Sequence, residues 1–232
     1  MRRILAVLVG LWSLDVSALK VVPFVHSFNP EDRNESSFQY YIENSTDDYM
    51  AFEISIFKRR LDRNGQDILE KDDESFTIYP RQIIIPPHSH RSVKVQWKGN
   101  KEFTANPNLE QAFRVRMEQF PINKDQKKAP RKTANIQVTY EIKASLYATP
   151  KDAKEHLTIV KSDSKTIVIR NSGTKRGEPI TSNLNVNGTK IVDLISQDES
   201  HSVVMPHSER VYHRRKNNLQ STQKRSVLDS KR

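Results

Sequence analysis

Five consecutive residues, Phe113-Arg114-Val115-Arg116-Met117, carry the clearest potential for chemistry in this chain. Side chains alternate along an extended strand, so Phe113, Val115 and Met117 share one face and both arginines point to the other. A guanidinium is always charged and presents planar pairs of N–H donors, which suit a carboxylate held bidentately. Two such groups on one strand face, near a cleft between domains, would anchor a carboxylate. The same spacing also suits two exposed arginines matched to Glu118 or Glu141 across a sheet.

Other chemistry has little support. The 232 residues contain no glycine-rich phosphate loop, no nucleophile elbow and no cysteine. His88 and His90 sit two apart in a proline-rich turn with no obvious third metal ligand nearby. Asp72, Asp73 and Glu74 read as a solvated charge run rather than an acid–base pair. We therefore expect a binding protein rather than an enzyme, with no catalytic residues, no metal and no cofactor.

The element that must position any such anchor is the segment from Asn135 to Thr149, NIQVTYEIKASLYAT. Ile136, Val138, Tyr140, Ile142, Ala144 and Leu146 fall on one face, and Gln137, Thr139, Glu141, Lys143 and Ser145 on the other. At about 3.3 Å per residue this strand would reach roughly 45 Å, well beyond the usual five or six residues. A long apolar row is an aggregation hazard unless something covers it, and some proteins lend such a row to an unfinished partner. The plainer alternative is a long, bent strand buried within its own domain.

Six further runs rich in β-branched and aromatic residues precede it: 21–28, 37–43, 50–58, 75–79, 92–97 and 112–119. Seven strands suffice for an immunoglobulin-like sandwich. Asn64-Gly65, between Phe57-Lys58-Arg59 and Ile68-Leu69, marks a hairpin turn, the proline-rich 85–89 a stiff turn, and the highly charged 123–132 a flexible loop. After Pro150 the pattern restarts at 156–161, 166–171, 182–186, 191–195 and 202–205, with no helical periodicity. The expected fold class is all-β, two immunoglobulin-like β-sandwich domains in tandem.

The start of the chain reads as a secretory signal. Arg2 and Arg3 precede an apolar run from Ile4 to Leu14, too short to span a bilayer, and Val16-Ser17-Ala18 supplies a cleavage site. The expected organisation is a signal peptide at 1–18, an N-terminal domain at 19–149, a smaller domain at 150–212 and a basic tail at 213–232. The formal charge of +10 is concentrated in that tail: residues 210–232 alone carry a net +7. Nucleic acid is therefore not an expected partner, nor is membrane insertion, although self-association through the edge strand is open. Asn34, Asn44 and Asn187 each open an N-x-S/T triplet, a pattern that matters only in a eukaryotic secretory pathway.

Taken together, the exported start, two sandwiches, charged loop and alternating strand ending in Leu146-Tyr147-Ala148-Thr149-Pro150 resemble the periplasmic chaperones of chaperone/usher pilus assembly. Ile83 to Trp97 is similar to the family's apolar-turn-strand segment, and Glu110 to Ile122 to its E-x-x-aromatic-R strand closing on a proline. The resemblance implies a non-enzymatic periplasmic protein that folds pilus or fimbrial subunits by donor-strand complementation and delivers them to an outer-membrane usher. Ile136, Val138, Tyr140 and Ile142 would then fill the subunit's groove. The better-known branch of the family holds the subunit's C-terminal carboxylate with a basic pair, whose positions here carry Val25 and Ser145. Val21-Val22-Pro23-Phe24 looks instead like the alternate or archaic branch, which points to Arg114 as anchor, with Arg116, Lys143 and Lys151 as candidates for a second cation. An exported structural or adhesive module of the same fold is the alternative reading.

Overall fold

Pro23 divides what reads as one strand into two, and each half joins a different sheet. β1 (Leu19–Val22) pairs antiparallel with β3 (Ser37–Asn44), whereas β2 (Val25–Phe28) runs parallel to β10 (Glu141–Ala148). Proline has no N–H to give a ladder, so the chain changes sheets there. This is a computed structural model that describes residues 19–122, 139–199 and 202–215.

The first domain is a sandwich of two sheets. One has the order β1-β3-β8-β6, with β6 at Phe76–Tyr79 and β8 at Ser89–Trp97. The other has the order β2-β10-β9-β4-β5, with β4 at Met50–Leu61, β5 at Asp67–Lys71 and β9 at Gln111–Phe120. The short β7 (Gln82–Ile85) also pairs with β4. Two strands thus go beyond the expected seven: β5, expected only as the return arm of the hairpin, and β7, whose four residues run straight into Pro86. A short helix, α1 (Lys101–Ala105), capped by the Asn100 side chain, precedes β9.

Alternation places every second residue of these strands in one core. Phe52, Ile54 and Ile56 of β4, Val93 and Val95 of β8, and Phe113, Val115 and Met117 of β9 are all fully buried. Each such side chain contributes about 1.5–3 kcal/mol through burial. Phe76 meets Trp97 and Phe113 edge-on, with ring centroids 4.9 Å apart in both pairs. That cluster fixes Phe113 inward, and the pleat then turns Arg114 outward. Asn44, fully buried, donates to the Asp48, Ile85 and Pro86 carbonyls, so its triplet is no glycosylation site in the folded protein.

The second domain is built on β11 (Leu157–Ser162), β12 (Thr166–Asn171) and β15 (Ser208–His213), with a small hairpin of β13 (Asn185–Val186) and β14 (Thr189–Lys190). Ile167, Ile169, Ile191, Ile195, Val204 and Tyr212 form its core. Three strand expectations change here. Residues 191–195 begin with the helical turn α2 (Ile191–Leu194), because Ile191 and Ile195, four apart, share a helical face as readily as a strand run. Only the last two residues of 182–186 are extended, and within 202–205 Val204 makes a lone bridge to Gly177. The domain also runs past the expected end at 212: β15 includes His213, and the Arg214 and Arg215 N–H groups donate to the Lys165 and Leu194 carbonyls.

Candidate functional site

One edge of the first domain is only half closed. β9 covers β10 along its whole length, from Glu141 opposite Glu118 to Ala148 opposite Gln111. On the other side β2 covers only residues 145–148, because it begins after Pro23. The Ser145 and Thr149 N–H groups donate to the Phe24 and Phe28 carbonyls at 2.9 and 2.8 Å. Backbone groups alternate sides along a strand, so those of Glu141 and Lys143 face the same way as Ser145. No strand meets them there among the described residues.

Of the four apolar residues expected to serve a partner, Ile136 and Val138 lie outside the described residues. Tyr140 is 42% exposed, its backbone fixed to Gln119 by hydrogen bonds in both directions. Ile142 is already partly packed against the first domain's own core, opposite the buried Met117. Tyr140 is thus the exposed member of the described row, and Ile142 marks where the domain's own core begins.

Where β2 closes the edge, a basic cleft begins. On the outward face of this sheet Arg59 of β4 and Arg114 of β9 bracket Asp67, the first residue of β5. Asp67 Oδ1 accepts from Arg59 Nε at 2.7 Å, and Oδ2 from Arg114 Nε at 2.8 Å. Hydroxyls of β10 hold the far ends of both guanidiniums: Arg59 Nη1 donates to Tyr147 OH at 3.1 Å, and Arg114 Nη1 to Ser145 Oγ. The two arginine side chains are 8% and 17% exposed. Burial alone would push the Asp67 carboxyl up, but the hydrogen bonds from Arg114 and Arg59 outweigh it and hold the group below its ordinary value. These residues line a cleft of about 540 Å³ whose opposite wall carries Arg176, Val203 and Arg210 of the second domain.

The arginine pair of β9 is therefore divided. Arg114 faces the cleft, while Arg116 takes the alternative role: its Nε contacts Glu141, its Nη2 lies 2.9 Å from Glu118, and its guanidinium sits over Phe57. Lys143 Nζ is 2.9 Å from the same Glu141. The structure brings neither Arg116 nor Lys143 to Arg114's cleft. The group beside Arg114 is Arg59, which the sequence offered only as a hairpin flank. Alternation from the hairpin would have placed it outward, but nothing in the sequence pairs β4 with β9.

The other candidates do not form a site. His88 Nε2 lies 2.8 Å from Asp47 in its turn, and no cluster of three metal-ligating residues occurs among the described residues. A larger hollow on the second domain is lined by Asp163 and Arg214, already engaged by Thr166, Lys165 and Ser162.

No family model matches the sequence, and no curated protein matches it. Solved structures do match in shape. The E. coli chaperone DraB aligns over 86% of this chain and 86% of its own at 14% identity, with a TM-score of 0.58. A chain of the Salmonella enterica SafA pilin–SafB chaperone complex aligns over 86% of this chain and 85% of its own at 11% identity, TM-score 0.57. A chain of the CsuC–CsuE chaperone–tip subunit pre-assembly complex, from archaic chaperone-usher pili of Acinetobacter baumannii, aligns over 84% of this chain and 89% of its own at 12% identity, TM-score 0.56. At these identities the likeness is one of fold: the chain has the architecture of the two-domain pilus chaperones.

Proposed function

We propose that this protein is a periplasmic chaperone that captures pilus or fimbrial subunits by donor-strand complementation and delivers them to an outer-membrane usher. The observation that carries this reading is the half-open edge of β10 ending at a buried arginine cleft. A subunit that lacks its last strand exposes an apolar groove and an unpaired edge. The backbone groups of Glu141 and Lys143 would pair with that edge, and Ile136, Val138 and Tyr140 would enter the groove, with Ile142 at the junction of the two cores. Each fully buried side chain would contribute about 1.5–3 kcal/mol before ordering costs.

The cleft supplies the register. A guest strand laid along the open edge must stop at Ser145, where β2 takes over the pairing. A terminal carboxylate arriving there meets Arg114 directly behind Ser145, so the guest strand runs parallel to β10. Charged hydrogen bonds of about 1.5–3 kcal/mol would then penalise a one-residue slip, which would also turn the apolar row outward. Release needs no nucleotide, because a neighbouring subunit's strand can replace β10 at the usher.

The test is co-expression with the pilin-like and usher-like reading frames beside the gene, followed by affinity purification and intact mass spectrometry. A one-to-one complex, lost in a still-folded Val138→Asp variant, supports strand lending. Well-expressed subunits left unbound by a lone monomer or homodimer would turn the reading to a structural module.

A further inference from the structure

We infer that Asp67 is an internal stand-in for the guest's terminal carboxylate, and that Arg59, with Arg114, forms the cation pair that receives it. This deepens the chaperone reading and rests on it for the identity of the guest. The argument is geometric. A carboxylate already sits between two guanidiniums, one oxygen on each Nε at 2.7 and 2.8 Å. Both arginines are mostly withdrawn from solvent, so the pair would be costly to leave without an anion. Asp67 removes that cost in the unloaded protein.

The fork does not depend on Asp67 for its shape. Tyr147 OH and Ser145 Oγ hold the two guanidiniums from β10, on the side away from Asp67. Asp67 is joined to the fork only through its side chain, which can turn away by rotation about its own bonds while the backbone of β5 stays paired with β4. An arriving carboxylate can therefore exchange for Asp67 while the arginines stay where they are. Exchange replaces one pair of charged hydrogen bonds by another, so capture is specific for a carboxylate at this point and remains reversible.

Acetate serves as the probe, titrated into the full mature protein with the Arg59 and Arg114 Nε–H resonances followed by NMR, and sodium chloride at matched ionic strength as control. In the native protein both signals move only weakly. In Asp67→Asn and Asp67→Ala, each checked by thermal melting, both signals should move together and saturate at roughly tenfold lower acetate concentration. No gain in either folded variant, or a shift of Arg114 without Arg59, would overturn the inference. Subunit capture is scored separately. Captured subunits with unchanged acetate binding would overturn the role of Asp67 and leave the chaperone reading standing. A responsive fork in a protein that captures nothing would support the anion pair and count against the chaperone.

Discussion

Glu110 and Arg176 join the two domains through an ion pair in which the glutamate side chain is wholly buried: Arg176 Nη1 lies 2.6 Å from Glu110 Oε2. The second oxygen accepts the Arg176 backbone N–H at 3.0 Å, and Thr149, at the end of β10, donates to Oε2 at 2.6 Å. The Arg176 guanidinium also lies 3.6 Å from the centroid of the Tyr147 ring and donates to Ser27. The pair thus couples the start of β9, the end of β10 and the second domain, and Arg176 also lines the basic cleft.

Glu110→Ala should be costly, because it leaves a mostly buried guanidinium without its anion. We expect a loss of about 3–5 kcal/mol in urea unfolding, whereas replacing both partners by methionine should recover most of it. Small-angle scattering of folded Glu110→Ala should show a broader spread of interdomain arrangements than the native protein. An unchanged urea midpoint would mean that the pair contributes nothing net.

Arg114→Glu should leave a folded monomer that cannot hold a subunit. The new carboxylate faces Asp67, so we expect a modest loss of stability together with complete loss of complex in the co-purification. A variant that captures subunits normally would remove Arg114 from the anchor.

Proline separates the two sides of β10. The Lys143 N–H points to the open edge, so Lys143→Pro removes a donor that the protein's own ladder does not use. We expect near-native melting but impaired subunit pairing. Ala144→Pro removes a donor facing β9 and should destabilise the domain by about 3 kcal/mol or more. Equal melting of the two variants would contradict the assigned edge.

The Asp67 carboxyl is held below its ordinary value in the folded protein, so it binds a proton less readily there than in the unfolded chain. Its contribution to stability is fully present above the unfolded value near pH 4 and is lost as pH falls through the lower folded value. Urea midpoints of the native protein should therefore fall more steeply below about pH 4 than those of Asp67→Asn. Parallel curves would show that the arginines do not stabilise the ionised group.

Much of the first domain was legible because β3, β8 and the middle of β9 alternate between the core and the other face. The period of two that buries Phe113, Val115 and Met117 also turns Arg114 and Arg116 outward, and strand 166–171 matches its expected limits. Short apolar runs were less legible. Ile191 and Ile195 suit a helical turn as well as a strand, and β15 runs into a basic stretch whose only apolar pairs are Val211-Tyr212 and Val227-Leu228.

The local sequence by itself determined which way each side chain of β9 and β10 points, since the pleat depends only on neighbours along the chain. It did not show that the run at 21–28 divides at Pro23, because the change of sheet there depends on which strands lie alongside each half. Only the tertiary structure decided that Arg59 and Asp67 meet Arg114, that Arg116 is matched to Glu118 and Glu141, and that the cover over β10 ends at Ser145. Those facts depend on which strands become neighbours and in what register, and the buried apolar face that the strands share ties that register to the core of the first domain.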